Sequence, residues 1–297
     1  MKILLTGMHG QVGFELQRAL APLGEIIAVD QSECDLADPA AIRRLLAAAR
    51  PDIVVNPAAY TAVDRAEAEP EQALAINGRA PGVFGEEAAK VGALVVHYST
   101  DYVFDGTRQG AYTEDDRPNP QSVYGRTKLA GEQALQDSGA KHLIFRTSWV
   151  FGAHGANFAR TMLRLAAERD AINVVADQFG APTSAALLAD VTAQILGRYG
   201  RDRDRDRGFP FGLYHLVAGG ETSWHEYART VVRAANAAGR SLKLAPENIL
   251  PIATSAYPLP APRPENSRLD TSCLKTTFGL HLPDWRHGLD HVLQQIL

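Results

Sequence analysis

Cysteine is nearly missing from this chain: Cys34 and Cys273 are the only two in 297 residues. They form neither a CxxC pair nor any other metal-ligand spacing, which excludes a disulfide framework and fits a reducing compartment. Basic excess is missing too. The 30 Lys and Arg against 34 Asp and Glu leave a formal charge of -4. That is no surplus for neutralising a phosphate backbone, so no nucleic-acid partner is expected and an acidic ligand must be held locally. No apolar run approaches the ~18 residues of a membrane helix. The opening "MKILLTG" passes straight into a strand pattern without the apolar stretch of a signal peptide. The expectation is a cytoplasmic protein with no membrane partner. No internal repeat is visible.

Apolar residues are plentiful, at 45% of the chain, enough for a sizeable core. In the first half they fall in short runs: "KILLTG" (2–7), "EIIAVD" (25–30), "DIVVNPA" (52–58), "LVVHYST" (94–100) and "HLIFRTSWV" (142–150). Each reads as a buried strand. Between them lie helical patterns such as "QVGFELQRALA" and "PAAIRRLLAAA", apolar at three- and four-residue steps. Strand and helix alternating this way predict an α/β fold, a Rossmann-type doubly wound parallel sheet covered on both faces. Beyond about residue 150 the pattern loosens into "INVVAD", "LYHLVA", helices near 184–198 and 224–238, and a proline-rich stretch at 251–264. A first domain over 1–150 and a smaller C-terminal α/β substrate lobe over 151–297 are expected, with some later segments returning to the first domain. The run "RDRDRDR" (201–207) reads as a solvated loop.

"TGMHGQVG" follows the first strand and opens the first helix, with Gly7, Gly10 and Gly13 spaced G-x-x-G-x-x-G around Gln11 and Val12. Glycines there permit a tight turn and a close approach of backbone to a pyrophosphate, while unpaired N–H groups at the helix start attract the anion. The first domain is therefore expected to bind a dinucleotide. Asp30 ends the second strand twenty residues after Gly10, where a carboxylate can bond the ribose hydroxyls. That favours NADH, although a side chain that turned away would admit NADPH. Asp35 and Leu36 sit just beyond, with Asp35 either near the adenine amino group or capping the helix that starts "PAAIRRLL". His9 reads as incidental.

Tyr124 and Lys128 in "VYGRTKLAGE" are four apart, hence on one helix face. An ammonium beside a phenol is expected to lower a pKa of about 10 toward useful acid/base range. Ser99, Thr100 and Asp101 in "YSTDYVFDG" lie at the carboxyl end of the fourth strand, the ligand-binding edge of such sheets. Glycine loop, strand-end Ser/Thr and Y-x-x-x-K together resemble the extended short-chain dehydrogenase/reductase superfamily. The resemblance implies that Thr100 orients the reacting oxygen, Tyr124 exchanges a proton with it, and Lys128 holds the nicotinamide ribose and tunes Tyr124.

Longer stretches narrow the resemblance. "NPAAYTAVDRAE", "HYSTDYVFDG", "FRTSWVFG", "FGAPTSAALLADVT", "GLYHLVAGGETSWHEYA" and "RPENSRLDT" are similar to the dTDP-4-dehydrorhamnose reductase family over essentially the whole chain. This implies reduction of the C4 ketone of dTDP-4-dehydro-beta-L-rhamnose to dTDP-L-rhamnose by NADPH or NADH. It also implies that Ala59, Tyr60 and Thr61 line the cofactor and that Val63, Asp101, Tyr102 and Trp149 approach the sugar. Some members bridge two subunits through magnesium (Mg2+) held by glutamates. Glu15 matches one such position, but the others fall at Ala186 and Arg286, so neither the metal nor that dimer is expected, leaving a monomer or weak homodimer.

Other readings stay open. A dehydratase of the superfamily carries Glu after the strand-end Asp, where this chain has Tyr102. An epimerase needs only the Tyr, and a non-catalytic NAD(P)-binding regulatory subunit would need none of the three. The segment "YPLPAPRPENSRLDT" suits a rigid connector, or a phosphate site through Arg263 and Arg268. Trp224 and His225 read as a helix start capped by Ser223, and His287 with His291 as a solvated helix face.

Overall fold

The alternation of apolar runs is realised in a computed structural model that describes residues 1–201 and 208–297. Nearly all of the charged run at 201–207, read above as a solvated loop, lies outside the described residues. The first half runs β1 (Lys2–Leu5), α1 (Gln11–Leu20), β2 (Glu25–Ala28), α2 (Pro39–Ala49), β3 (Ile53–Asn56), α3 (Val63–Ala68), α4 (Pro70–Leu74) and α5 (Ala80–Val91). It continues through β4 (Leu94–Thr100), α6 (Val123–Asp137), β5 (Lys141–Thr147) and β6 (Val150–Phe151). The second half holds α7 (Phe158–Glu168), β7 (Ile172–Val175), β8 (Phe179–Gly180), β9 (Thr183–Ser184), α8 (Ala185–Arg201), β10 (Gly212–His215) and β11 (Thr222–Ser223). It ends with α9 (Trp224–Ala237), β12 (Ile249–Ile252), α10 (Ser272–Phe278) and α11 (Trp285–Ile296).

Six strands form one sheet in the order β10-β5-β4-β3-β1-β2, every pair parallel. Such a sheet is buried on both faces, which is why β3 and β4 are apolar or enclosed at every position. Leu16 and Leu20 of α1 with Leu188 and Ile195 of α8 cover one face. Ile42 and Leu46 of α2 with Phe84 and Ala88 of α5 cover the other. This is the expected doubly wound fold. β10, from late in the sequence, lies against β5, and α8 packs beside α1. A separate core gathers Met162, Val174, Tyr227, Val231, Trp285 and Leu289 from the remaining later elements.

Helix α6 carries the Tyr/Lys pair, and its start is fixed locally. Prolines 118 and 120 keep the preceding chain extended, and Ser122 caps the helix by accepting from the Gly125 N–H at 3.1 Å. Tyr124 therefore falls in the first turn and Lys128 one turn on. Glu132, a further turn along, is bound by Arg146 of β5 through two hydrogen bonds, Nε to Oε1 at 2.9 Å and Nη2 to Oε2 at 2.6 Å. Both side chains are buried. Removing one partner of a buried pair strands the other charge, so Glu132→Ala should destabilise the fold by about 3–5 kcal/mol. Glu168→Ala, at the exposed pair with Arg164, should cost under about 0.5 kcal/mol. Urea unfolding of the two variants checks this, and equal losses would contradict it.

Candidate active site

The strand order reverses between β1 and β3, and at the carboxyl ends of these strands opens a cleft of about 750 Å³, the usual ligand position in such sheets. Gly7, Gly10, Gln11, Val12 and Gly13 form one wall. Gly7 has φ +59, in the left-handed region, and a Cβ on Gly13 would sit 2.0 Å from the Gly7 carbonyl oxygen. Gly10 caps α1 with no side-chain hydrogen bond, which leaves first-turn N–H groups for an anion. Asp30 borders both the cleft and a side hollow of about 140 Å³ lined by Asp35 and Leu36. Asp35 is not the cap of α2: it accepts from the Ala37 N–H, while Asp38 caps the helix through Ala40. His9 also lines the cleft, with Nε2 3.9 Å from Asp30 Oδ2.

Ala59, Thr61 and Val63 border the cleft, but Tyr60 is not among its lining residues. The Tyr60 hydroxyl donates to Glu69 at 2.6 Å, and its backbone is clamped by Asn77, which accepts from Tyr60 N at 2.8 Å and donates to Tyr60 O at 3.0 Å. Asn77 sits on a π-helical turn, Ala75–Arg79, and donates also to the Thr127 hydroxyl of α6. The loop after β3 is thereby tied to the helix that bears the Tyr/Lys pair.

Thr100, Asp101, Tyr102, Tyr124, Lys128 and Trp149 meet on the opposite wall. Thr100 donates its hydroxyl to Asp101 Oδ1 at 3.0 Å and accepts from the Tyr102 N–H at 3.2 Å. Loss of water around the Tyr124 hydroxyl pushes it up to about 12, opposed by a hydrogen bond with Thr100. Burial pushes Asp101 up to about 6 against hydrogen bonds with Ser267 and Thr100. Lys128, 2% exposed, is brought down to about 8 by burial, partly offset by Glu132. A phenol made more acidic by its ammonium neighbour is thus not what forms. The ammonium is drawn into the sheet, where Nζ donates to the Tyr98 carbonyl at 2.6 Å and lies 3.3 Å from His97 Nε2. Desolvation then governs Tyr124.

A second, mainly apolar cavity of about 480 Å³ adjoins the cleft, and Tyr102, Trp149 and Trp224 line both. Trp149 takes a φ of +50, uncommon for a bulky residue and a mark of local strain. Its ring stacks on Trp224 at 3.7 Å between centroids. Arg263 borders this cavity, with Nη2 2.6 Å from Asp64 Oδ2. Arg268 lines neither space. Its guanidinium bonds Asn266 and Glu221 and lies over Phe179. Trp224 does open α9, capped by Ser223, yet it is also a site residue that its helical position concealed. Ser99 lies at the strand-end edge where it was expected, and Thr147 and Ser148, which were missed, join it. They border the cleft, and their buried hydroxyls have no hydrogen-bond partner. The "RTSW" ending β5 beside the "YSTD" ending β4 was the available signal.

These features fit a dinucleotide: a glycine turn that a Cβ would fill, a helix start without a side-chain capping bond, a carboxylate at the second strand, and buried hydroxyls awaiting polar partners. No three His, Cys, Asp or Glu side chains gather into a metal site among the described residues, and no described helix is long and apolar enough to cross a membrane. Fold and cleft define the class, an extended short-chain dehydrogenase/reductase. A family model described as RmlD substrate binding domain matches residues 1–297. The chain is 51% identical over 300 residues to the dTDP-4-dehydrorhamnose reductase of Escherichia coli strain K12, covering 100% of this chain and 98% of that one. It is 49% identical to the Burkholderia thailandensis enzyme of that name over 297 residues, covering 100% and 99%. Among solved structures, a dTDP-4-dehydrorhamnose reductase from Clostridium acetobutylicum superposes with TM-score 0.90 at 35% identity, covering 99% of each chain. The Bacillus anthracis enzyme of the same name, in complex with NADP, gives 0.88 at 34%, again covering 99% of each. The chain belongs to the dTDP-4-dehydrorhamnose reductase family.

Gly13→Ala would press a methyl into the Gly7 carbonyl and force the loop open. Affinity for NADPH, measured by isothermal titration calorimetry, should fall at least about tenfold. An unchanged affinity would remove the loop from the cofactor site.

Proposed function

We propose that this chain reduces the C4 ketone of dTDP-4-dehydro-beta-L-rhamnose to dTDP-L-rhamnose, using NADPH or NADH, with Tyr124 as proton donor. The observation that carries the reading is the convergence of Thr100, Tyr124 and Lys128 on one wall of the cleft, facing the glycine loop. Full-length similarity to enzymes named for this reaction supports the choice of substrate.

Bound reduced nicotinamide supplies a hydride to the carbonyl carbon. Tyr124, held near 12 by desolvation, keeps its proton at neutral pH and gives it to the carbonyl oxygen as negative charge develops there. A sugar alkoxide is the stronger base, so the transfer runs toward the sugar. Thr100, beside Tyr124, turns its single hydroxyl proton from Asp101 to the same oxygen, a bond that strengthens as the charge grows. Lys128 has three N–H donors; two face Tyr98 O and His97, and the third is left for the cofactor ribose.

The sugar reaches this wall through the Trp149–Trp224 side, with the nucleotide in the adjoining apolar cavity, where Arg263 is the guanidinium at hand for phosphate. The partition into a dinucleotide domain over 1–150 and a substrate lobe over 151–297 follows from the same reading, with β10 and α8 assigned to the first domain.

An epimerase keeps its dinucleotide through each cycle, whereas this reading requires stoichiometric consumption of NADPH or NADH. Tyr124→Phe should lower turnover by about 10²–10⁴ while leaving NADPH affinity within about twofold; near-normal turnover would remove Tyr124 from the chemistry. Because burial brings Lys128 down to about 8, its ammonium predominates below that pH and is lost above it. The kcat/KM should therefore decline as pH rises through about 8, and a profile flat to about pH 10 would contradict the requirement for a charged Lys128.

A further inference from the structure

A row of polar side chains crosses the sheet beneath the cleft, and the reaction described above uses only its last member. Thr6 follows β1, Asn56 ends β3, and His97 stands opposite Asn56 in β4. Each is 1% exposed. The Thr6 hydroxyl donates to Asn56 Oδ1 at 2.6 Å, Asn56 Nδ2 lies 3.3 Å from His97 Nδ1, and His97 Nε2 lies 3.3 Å from Lys128 Nζ. The contacts begin one residue before Gly7 and end on the lysine.

We propose that His97 is a positioning residue for the reduction: braced by Asn56 at one ring nitrogen, it holds the Lys128 ammonium with the other and keeps it charged and directed at the cleft. The inference rests on the reading of Lys128 given under the proposed function. A histidine that follows Leu94, Val95 and Val96 in a strand buried along its whole length is a polar group that costs stability unless it is bonded. Its bonding partner here is a buried cation, which needs acceptors to stay charged. Tyr98 O is one and His97 Nε2 the other. His97 does not compete for the proton, because burial and the adjacent ammonium push it well below its ordinary range.

A neutral imidazole has one N–H, so Nε2 accepts from the ammonium only when the proton sits on Nδ1. Asn56 makes that tautomer possible. Its amide can present oxygen to Nδ1 and turn Nδ2 to the Thr6 hydroxyl, which donates or accepts equally well. The amide as placed, with Oδ1 on Thr6 and Nδ2 toward Nδ1, puts the ring proton on Nε2, facing Nζ, an arrangement suited only to an uncharged amine; the charged lysine takes the amide turned over, with O and N exchanged and every heavy-atom distance unchanged. Amide orientation, ring tautomer and lysine charge are therefore linked.

The other titratable or charged groups packed around this floor are Tyr124 and Glu132 from α6, Tyr98 from β4, Asp101 from the turn after it, and Arg146 from β5. Among these, Glu132 favours the charged lysine, and it is itself bound to Arg146. None of them supplies a second acceptor at Nζ.

The test compares His97→Leu, which fills similar space without an acceptor, with His97→Gln, which returns an amide oxygen near the Nε2 position. Losing one hydrogen bond to a charged group should move the alkaline limb of kcat/KM down by about one pH unit in His97→Leu, a drop of about fivefold at about pH 8. His97→Gln should restore the limb to within a few tenths of a unit. A His97→Leu limb at the parent's pH, or both variants losing rate equally at every pH in step with a lowered Tm, would overturn the proposal. ¹⁵N NMR of the unsubstituted protein at about pH 7 gives an answer independent of any variant's folding: Nδ1–H supports it and Nε2–H overturns it. Lys128→Met separates the two levels. If that variant turns over normally, the reading of Lys128 fails and this inference with it; if it is crippled while His97→Leu keeps the parent limb, only the His97 role fails.

Discussion

An ammonium buried beneath a helix must find acceptors, and the site is organised around where Lys128 finds them. Its bond to the Tyr98 carbonyl ties α6 to the end of β4, two residues before Thr100. One turn further along the helix, Glu132 repeats the attachment through Arg146 of β5. With two rungs fixed in the sheet, the first turn of α6 has no freedom to drift, and Tyr124 is set beside Thr100. Burying these charges costs free energy. The return is a phenol and an ammonium held in place before any ligand arrives, which is the preorganisation that acid catalysis requires.

The same burial divides the work among the titratable groups. Tyr124 is pushed up and stays protonated, Lys128 is pushed down yet stays charged near neutrality, and Asp101 lies at about 6 beside them. A donor that keeps its proton is suited to carbonyl reduction, where a proton must be given after hydride arrives. On the far side of the wall the stacked Trp149 and Trp224 join the polar cleft to an apolar cavity.

Much of the fold was legible because its signals are long. β4, seven residues buried throughout, and the sharply periodic α1 and α2 announce themselves in the sequence. The two-residue strands β6, β8, β9 and β11 are too short for any periodicity to appear. In the site, residues defined by local motifs were legible: the glycine turn, the strand-end Thr100 and the Tyr124/Lys128 spacing. What escaped depends on distant partners. Spacing on a helix predicts that Lys128 lies beside Tyr124, but not that a backbone carbonyl thirty residues away takes the ammonium. Tyr60 sits in a cofactor-like loop, yet a nearby carboxylate, Glu69, turns its hydroxyl aside. Arg268 has the right chemistry for phosphate and is held elsewhere by Asn266 and Glu221.

The central claim is that hydride from the cofactor and a proton from this wall meet at one sugar carbonyl. Following deuterium addresses it most directly: the protein is given dTDP-4-dehydro-beta-L-rhamnose and NADPH carrying deuterium at the transferable position of the nicotinamide, and the product is read by NMR. The account predicts one deuterium at C4 of the product sugar for each NADPH oxidised. Unoxidised NADPH with an isomerised sugar, or a product without deuterium at C4, would contradict it.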